Sequence, residues 1–434
     1  MLKTAKYARA RYIHSVAPCK SITGRRLFFL LYGVFMFRKS IKLATLPLFL
    51  FSTLAFAGKE HRIVAPHCLT QNTAIHYKNL ASHSELHFFS IDESDIPLLI
   101  EKKHLQHTRC GGFMDVTDAW NRSKEKMDPN TFLNQYENKT TPHLKTTYTI
   151  RYPHEVKELS LAINPLEIWN QLTYFSGFLD RYANSDTGVK AANDLKSIVE
   201  TMAKTYGHTD DVSAFLIPTG SFYQQPSVVA KFGNADEPGI VVGAHMDTLH
   251  GSTFNHKPGA DDDGSGTTVV LEVARTLLAS GYHFKKPIYF IWYAAEEEGL
   301  VGSQYVVDNF IQKNIPVSEV IHFDMTGYRH ENDPTIWLYD DNTDSDLTGF
   351  LATLITTYIG APIGHDRCGY ACSDHATWTM NGFKAALPFE ASFYTYNPYI
   401  HTSSDTMEKL SLNHMTNFAL LGVAFAVELA EPVK

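Results

Sequence analysis

The sequence predicts an α/β protein: a three-layer, mostly parallel (mixed) sheet with helices on both faces, preceded by a signal peptide and a pro-region. Three observations carry that expectation. From about residue 155, short apolar runs that stop at polar clusters alternate with amphipathic stretches, the pattern of strand-then-helix units. The first 57 residues read basic, then apolar, then small. Between these regions, residues 58–150 are rich in His and polar residues and hold no motif. The expected divisions are 1–57 for the leader, 58–150 for the pro-region and 151–434 for the main domain.

The leader carries ten Lys or Arg, from Lys3 to Lys42, and no Asp or Glu. From Met36 it runs through Arg38, Lys39 and Lys42 into the apolar stretch Leu43–Ala57, ending Ala55-Phe56-Ala57. That build predicts a start at Met36, cleavage before Gly58 and secretion, with a membrane met only during export. The apolar stretch is shorter than the ~20 residues of a spanning helix, and Pro47 interrupts it. The competing reading is an uncleaved anchor starting at Met1, with a second apolar block, Leu27–Phe35, behind Arg25 and Arg26. The remainder holds 28 basic and 46 acidic residues, a net of −18. So acidic a body repels phosphate backbones, which excludes nucleic acid as an expected partner.

Of five cysteines, Cys19 leaves with the leader. In an oxidising compartment, Cys68, Cys110, Cys368 and Cys372 allow three connectivities. The close spacing of Cys368 and Cys372 favours a local bridge, leaving Cys68 with Cys110. A C-x-x-x-C zinc site is the alternative, although no second Cys or Cys/His pair lies at finger spacing.

Along the chain, Pro129-Asn130, Asn134, Asn138 and Thr140–Pro142 read as loop chemistry. Amphipathic helices follow at Leu166–Tyr182 and Gly188–Tyr206, with Ser185–Gly188 as the turn between them. The runs Gly239–Ala244, Pro287–Ala295, Glu319–Phe323 and Ala385–Phe389 read as buried strands. Helical stretches come at Gly266–Ala279, Ser303–Gln312, Ser345–Tyr358, Asp374–Met380 and Leu412–Leu429. In such sheets the site lies at the carboxyl ends of the strands, where the polar clusters fall.

Five segments carry the chemistry: Gly243-Ala244-His245-Met246-Asp247, Gly259-Ala260-Asp261-Asp262-Asp263-Gly264, Ala295-Glu296-Glu297-Glu298-Gly299, Phe323-Asp324-Met325 and Ile400-His401-Thr402. Singly, each has an ordinary structural reading: a strand-end histidine, a solvated turn, a charged face. Jointly, they gather His and carboxylates at strand ends. Carboxylates buried together without a cation cost several kcal/mol per ion, and this donor set suits zinc.

With these motifs, the sequence closely resembles the secreted bacterial leucyl aminopeptidases of the M28 zinc metallopeptidase family. The likeness runs from about residue 160 to the C-terminus, densest in His245–Asp263, Tyr293–Gln304, Asp324–Tyr328, Cys368–His375 and Pro388–Thr406. The resemblance implies two Zn²⁺ bridged by Asp262. It places Glu297 and His401 on one metal, and His245 and Asp324 on the other. It makes Glu296 the general base and Asp247 the carboxylate that orients His245. It also implies a cis peptide bond between Asp262 and Asp263. Elementary chemistry agrees: +4 from the metals meets −3 from three carboxylates, and a bridging hydroxide nucleophile makes the set neutral. Metals roughly 3.5–4 Å apart acidify the shared water, and a neighbouring carboxylate moves its proton.

The set Met325, Tyr370, Phe389, Phe393, Tyr396 and Ile400 reads either as core or, through the resemblance, as an apolar pocket walled by the Cys368–Cys372 bridge. The expected substrates are peptides with a free N-terminus and a leucine-like first residue, cut by a monomer. Glu298 and Arg367 depart from the family pattern without touching a ligand position. Two other classes stand beside this reading. A glutaminyl-cyclase-like acyltransferase uses a single zinc, and a non-catalytic binding module on the same fold loses metal ligands.

Overall fold

In the computed structural model the described residues are 59–434, except 72–73, 84, 106–108, 110 and 138–144. The leader, its cleavage site and Cys110 therefore lie outside the described residues. In chain order the strands are β1 (Glu60–Pro66), β2 (Tyr77–His83), β3 (Leu86–Asp92), β4 (Met114–Asp115), β5 (Val212–Ile217), β6 (Ser227–Phe232), β7 (Gly239–His245), β8 (His283–Phe284), β9 (Ile288–Tyr293), β10 (Val317–His322), β11 (Ile336–Tyr339), β12 (Ile363–Asp366), β13 (Lys384–Phe389) and β14 (Pro432–Val433).

Strands with apolar side chains on both faces take the centre of a sheet. Accordingly, the main sheet has the order β12-β11-β13-β10-β7-β9-β6-β5, with β13, β10, β7 and β9 mutually parallel. The flanks are mixed: β6 is antiparallel to β9 and β5, and β11 is antiparallel to β13 but parallel to β12. On one face, Val228, Val242, Phe290 and Ile321 pack against the helices Asp186–Tyr206, Gly264–Leu278 and Leu412–Ala430. On the other, Val229, Val241, Ile291 and Val320 meet Phe310 and Trp378 from the helices Val301–Gln312 and His375–Met380. The result is three layers. Leu412–Ala430 is the one described helix long and apolar enough to cross a membrane, and it is largely buried in this core.

Local chemistry sets the helix ends. The Ser185 hydroxyl accepts from Gly188 N to open the helix Asp186–Tyr206. The helix expected over 166–182 is shorter, Pro165–Ser176, because the chain turns after Gly177 and buries Arg181. The stretch expected over 345–358 is α-helical to Leu354 and then widens into a π turn, Ile355–Ile359.

Residues 59–137 form an antiparallel sheet, β2-β3-β1-β4, with helices Ile96–Leu105, Thr117–Ser123 and Pro129–Glu137. The loop expected at Pro129-Asn130 and Asn134 is a helix instead. Asp128 accepts from Asn130 N, Thr131 N and the Thr131 hydroxyl, and Pro129 follows it, where proline suits a first helical turn. Asn138 and Thr140–Pro142 lie outside the described residues.

This N-terminal sheet packs onto the main domain. Leu300 and Ala376 share a core with Phe88 and Met114. Asp115 N donates to the Gly299 carbonyl at 3.1 Å. Gly299 has φ +102°, and a Cβ there would lie 2.6 Å from that nitrogen, so only glycine fits. Arg122 pairs with Asp308 at 2.6 Å, Arg109 with Asp366 at 2.6 Å, and the Tyr305 hydroxyl with Asp118. The described residues form one compact unit.

Candidate active site

The carboxyl ends of β7, β9 and β10 deliver His245, the Glu296–Glu297 loop and Asp324 to one place. Asp262 lies on the loop before the helix Gly264–Leu278, and His401 comes from the loop before Leu412–Ala430. All five proposed ligands converge. The two oxygens of Asp262 part company: Oδ1 is 3.0 Å from His245 Nε2 and Oδ2 is 2.7 Å from His401 Nε2. His245 Nε2 also lies 3.7 Å from Asp324 Oδ1, and His401 Nε2 lies 2.9 Å from Glu297 Oε2. Two three-residue groups, His245–Asp262–Asp324 and Asp262–Glu297–His401, thus share one carboxylate.

Charge explains why these side chains hold together. Burial opposes a proton on His245, yet Asp324, Asp247 and Asp262 keep its pKa well above the usual imidazole value. Burial likewise opposes charge on His401, but Glu297 and Asp262 push it up to about 10. For Asp262, burial is outweighed by His401 and His245, which hold its carboxyl well below the ordinary range. Each group sets one imidazole nitrogen among carboxylate oxygens, a donor set that suits a dication. Imidazole nitrogen and carboxylate oxygen are zinc donors, so the residues present fit two such ions.

Asp247 is buried two residues beyond His245, with Oδ1 3.5 Å from His245 Nδ1. The same carboxylate accepts from Glu296 N at 3.0 Å and from Glu297 N at 3.1 Å. One side chain therefore touches both a proposed ligand histidine and the loop that carries the expected base. Three residues around the site, Ala295, Met325 and His401, have φ of 50–61°, a left-handed backbone that L residues adopt at a cost of about 1–3 kcal/mol each. The Asp262–Asp263 bond is cis, as the resemblance implied.

Several residues that hold the site were not assigned roles from the sequence. Asp263 accepts from Gly266 N, Met325 N and His245 N, tying a helix and two strand ends together. Asp405 accepts from Asp261 N and Asp262 N at 3.0 and 3.1 Å. Arg181 is fully buried and donates to the carbonyls of Met246, Phe175, Pro258 and Gly259, placing a cation beneath the acidic cluster. Its partners are carbonyls from distant segments, so no motif marks it. Asp261 and Asp263 stood inside a motif segment without a role of their own, and Asp405 was visible only as an acidic residue near His401.

A cleft opens beside the proposed ligands. Met325, Tyr370, Phe389, Phe393, Tyr396 and Ile400 all line it, as do Glu296, Tyr339 and Leu387. The Cys368–Cys372 disulfide is formed and stands in its wall, so the zinc alternative for that pair does not hold. Cys68 is disulfide-bonded, and Cys110, its expected partner, lies outside the described residues. Arg367 lines a separate cavity against the N-terminal sheet. Glu298 is buried, and burial, then Asp247 and Glu297, push its pKa up to about 8.

The profile of peptidase family M28 matches residues 227–426. Leucine aminopeptidase 1 of Penicillium rubens is 34% identical over 340 residues, covering 73% of this chain and 83% of that protein. The crystal structure of the Legionella pneumophila LapA aminopeptidase aligns with TM-score 0.79 and 44% identity, over 87% of this chain and all of that one. LapB from the same organism aligns with TM-score 0.79 and 40% identity, over 86% of this chain and all of that one. A cover of 87% exceeds what residues 160–434 can supply, so the likeness begins upstream of the point expected from the motifs. The N-terminal region lacks site residues, and motif reading is blind to it. The chain belongs to peptidase family M28.

Proposed function

We propose that this chain removes the N-terminal residue of peptides, preferring leucine or another large apolar residue, with two zinc ions sharing Asp262. That it is a metallo-aminopeptidase follows from its family and its relatives. The finer reading rests on one observation: Asp262 directs its two oxygens to two histidines, each of which faces a further carboxylate. These residues would hold zinc, which would supply an acidified water and a Lewis acid for the scissile carbonyl.

The chain's own residues supply the rest. Glu296 lines the cleft next to the ligand Glu297, and takes the proton of the attacking water and delivers it to the leaving amine. Asp247 fixes that loop through both backbone N–H groups. Phe389, Phe393, Leu387 and Met325 receive the first side chain of the substrate. A missing methylene in such a pocket is worth only ~1–3 kcal/mol, so selectivity is graded. The test is zinc counting together with a panel of aminoacyl anilides. Two zincs per catalytic site and a preference for leucyl over alanyl and glutamyl substrates support the reading. One zinc, or a preference for glutamyl substrates, refutes it.

The same reading takes residues 1–57 as a secretion leader starting at Met36, in a bacterial secreted enzyme acting as a monomer. It takes 58–150 as a pro-region that restrains catalysis until cleaved. What supports restraint is the docking place: β4 meets Gly299, three residues from Glu296, and Gly112 packs on the Tyr370 wall. No described residue of 59–137 lines the cleft, so restraint acts through the loop and the wall. Activity before and after proteolytic trimming decides it: a rise supports restraint, equality refutes it.

A further inference from the structure

We propose a separate metal site, formed by His208, Asp211 and His283, that takes one zinc-class cation and fastens the C-terminal ribbon to the main sheet. It lies at the opposite end of the sheet from the catalytic residues. His208 and Asp211 sit in the turn between the helix Asp186–Tyr206 and β5, and His283 sits in β8, just before β9 begins at Ile288. The catalytic groups follow the other end of β9, whose six residues at ~3.3 Å each put about 20 Å between the two places.

The geometry is that of a donor set. His208 Nδ1 lies 3.1 Å from Asp211 Oδ1, and His283 Nδ1 lies 3.0 Å from Asp211 Oδ2. One ligand atom from each residue lies within 4.8 Å of the other two. Zinc bonds of about 2.0–2.1 Å in a tetrahedron give ligand-to-ligand edges of about 3.3–3.4 Å, close to these separations. The catalytic groups show similar spacing, with 3.0 Å from His245 to Asp262 and 2.9 Å from His401 to Glu297.

The set is also held in place. His208 is 5% exposed and rests edge-on against Phe232, with ring centroids 5.0 Å apart. Its backbone N–H closes the helix end on the Ala203 carbonyl. His283 is exposed, which leaves the fourth position open to water and gives the ion a route in. Because β8 pairs with β14, with Val433 opposite His283, a cation here ties the last strand of the chain to the β5–β6 flank.

The experiment uses the full chain loaded with zinc chloride, dialysed against zinc-free buffer and counted by mass spectrometry, beside His283→Ala and His283→Gln. His283 is exposed and remote from catalysis, so both variants fold and turn over leucyl anilide like the wild type. Glutamine keeps a hydrogen-bond donor for Asp211 but not a zinc ligand. The expected result is one zinc fewer per chain in both variants. Crystals of the wild type should also show a zinc anomalous peak between His208, Asp211 and His283. Equal zinc counts with no peak there reduce the cluster to two histidines hydrogen-bonded to one carboxylate and overturn the proposal.

Discussion

Each half of the molecule buries a histidine–carboxylate contact, and the two do different work. In the N-terminal sheet, His61 Nδ1 lies 2.5 Å from Asp115 Oδ2, while Asp115 Oδ1 accepts from Thr117 N at 2.9 Å and from its hydroxyl. All those groups lie on β1, β4 and the helix that follows, so the pair closes on itself. In the main domain, Asp262 gives its oxygens to His245 and His401, and each histidine faces another carboxylate from a different segment. The first arrangement satisfies a carboxylate; the second surrounds two points with donors. Proximity of His to Asp therefore does not identify a metal site. Convergence of three donors from separate segments marks a candidate.

Substitutions separate the two kinds of pair. The largest effect is expected from Glu296→Ala, which should lower turnover by roughly 10²–10⁴-fold, the span of a general acid–base group, while zinc content stays at the wild-type level. Loss of zinc in that variant would mean that Glu296 and Glu297 have exchanged roles. Next, Asp247→Ala removes the group beside His245 and the acceptor for two backbone N–H groups. Zinc affinity should fall about 10–100-fold, measured by competition with a chelator.

On the other side of the comparison, Asp115→Ala should leave zinc affinity unchanged and reduce stability by about 1–3 kcal/mol in urea unfolding, since it strands buried donors. A smaller effect concerns His87, whose pKa burial and then His67 push down to about 4. The folded state keeps it neutral, whereas the unfolded chain protonates near 6.5. Its contribution is whole above about pH 6.5 and is lost as pH falls toward 4. His87→Asn should flatten that part of the wild-type stability profile. An unchanged slope would place the titration elsewhere.

What the sequence disclosed follows from how each residue earns its place. β7, β9 and β13 are mostly apolar and buried on both faces, and β10 is so from Val320, so their ends, and the proposed ligands beyond them, were legible. β5 and β12 are short flanking strands with mixed burial, and nothing in their patterns stands out. The N-terminal sheet was read as polar sequence because β2 is largely exposed and His and other polar residues interrupt the apolar ones in β1 and β3, and because the helix at Pro129 begins with residues equally suited to a turn. The proposed ligands and the expected base were assigned through motifs, and the structure brings the five proposed ligands together. Arg181, Asp263 and Asp405 were not, because their roles lie in hydrogen bonds to backbone brought near only by folding. Tyr339 and Leu387 joined the cleft for the same reason: β11 and β13 are antiparallel neighbours, a pairing no local pattern announces.

The central claim is that Asp262 is shared between two metal ions. Anomalous diffraction at the zinc edge, on crystals of the full chain grown with zinc, tests it most directly. The account predicts two peaks at the cleft, one between Asp262, His245 and Asp324 and one between Asp262, Glu297 and His401. A single peak there at full occupancy, with Asp262 bound through one oxygen, would contradict it.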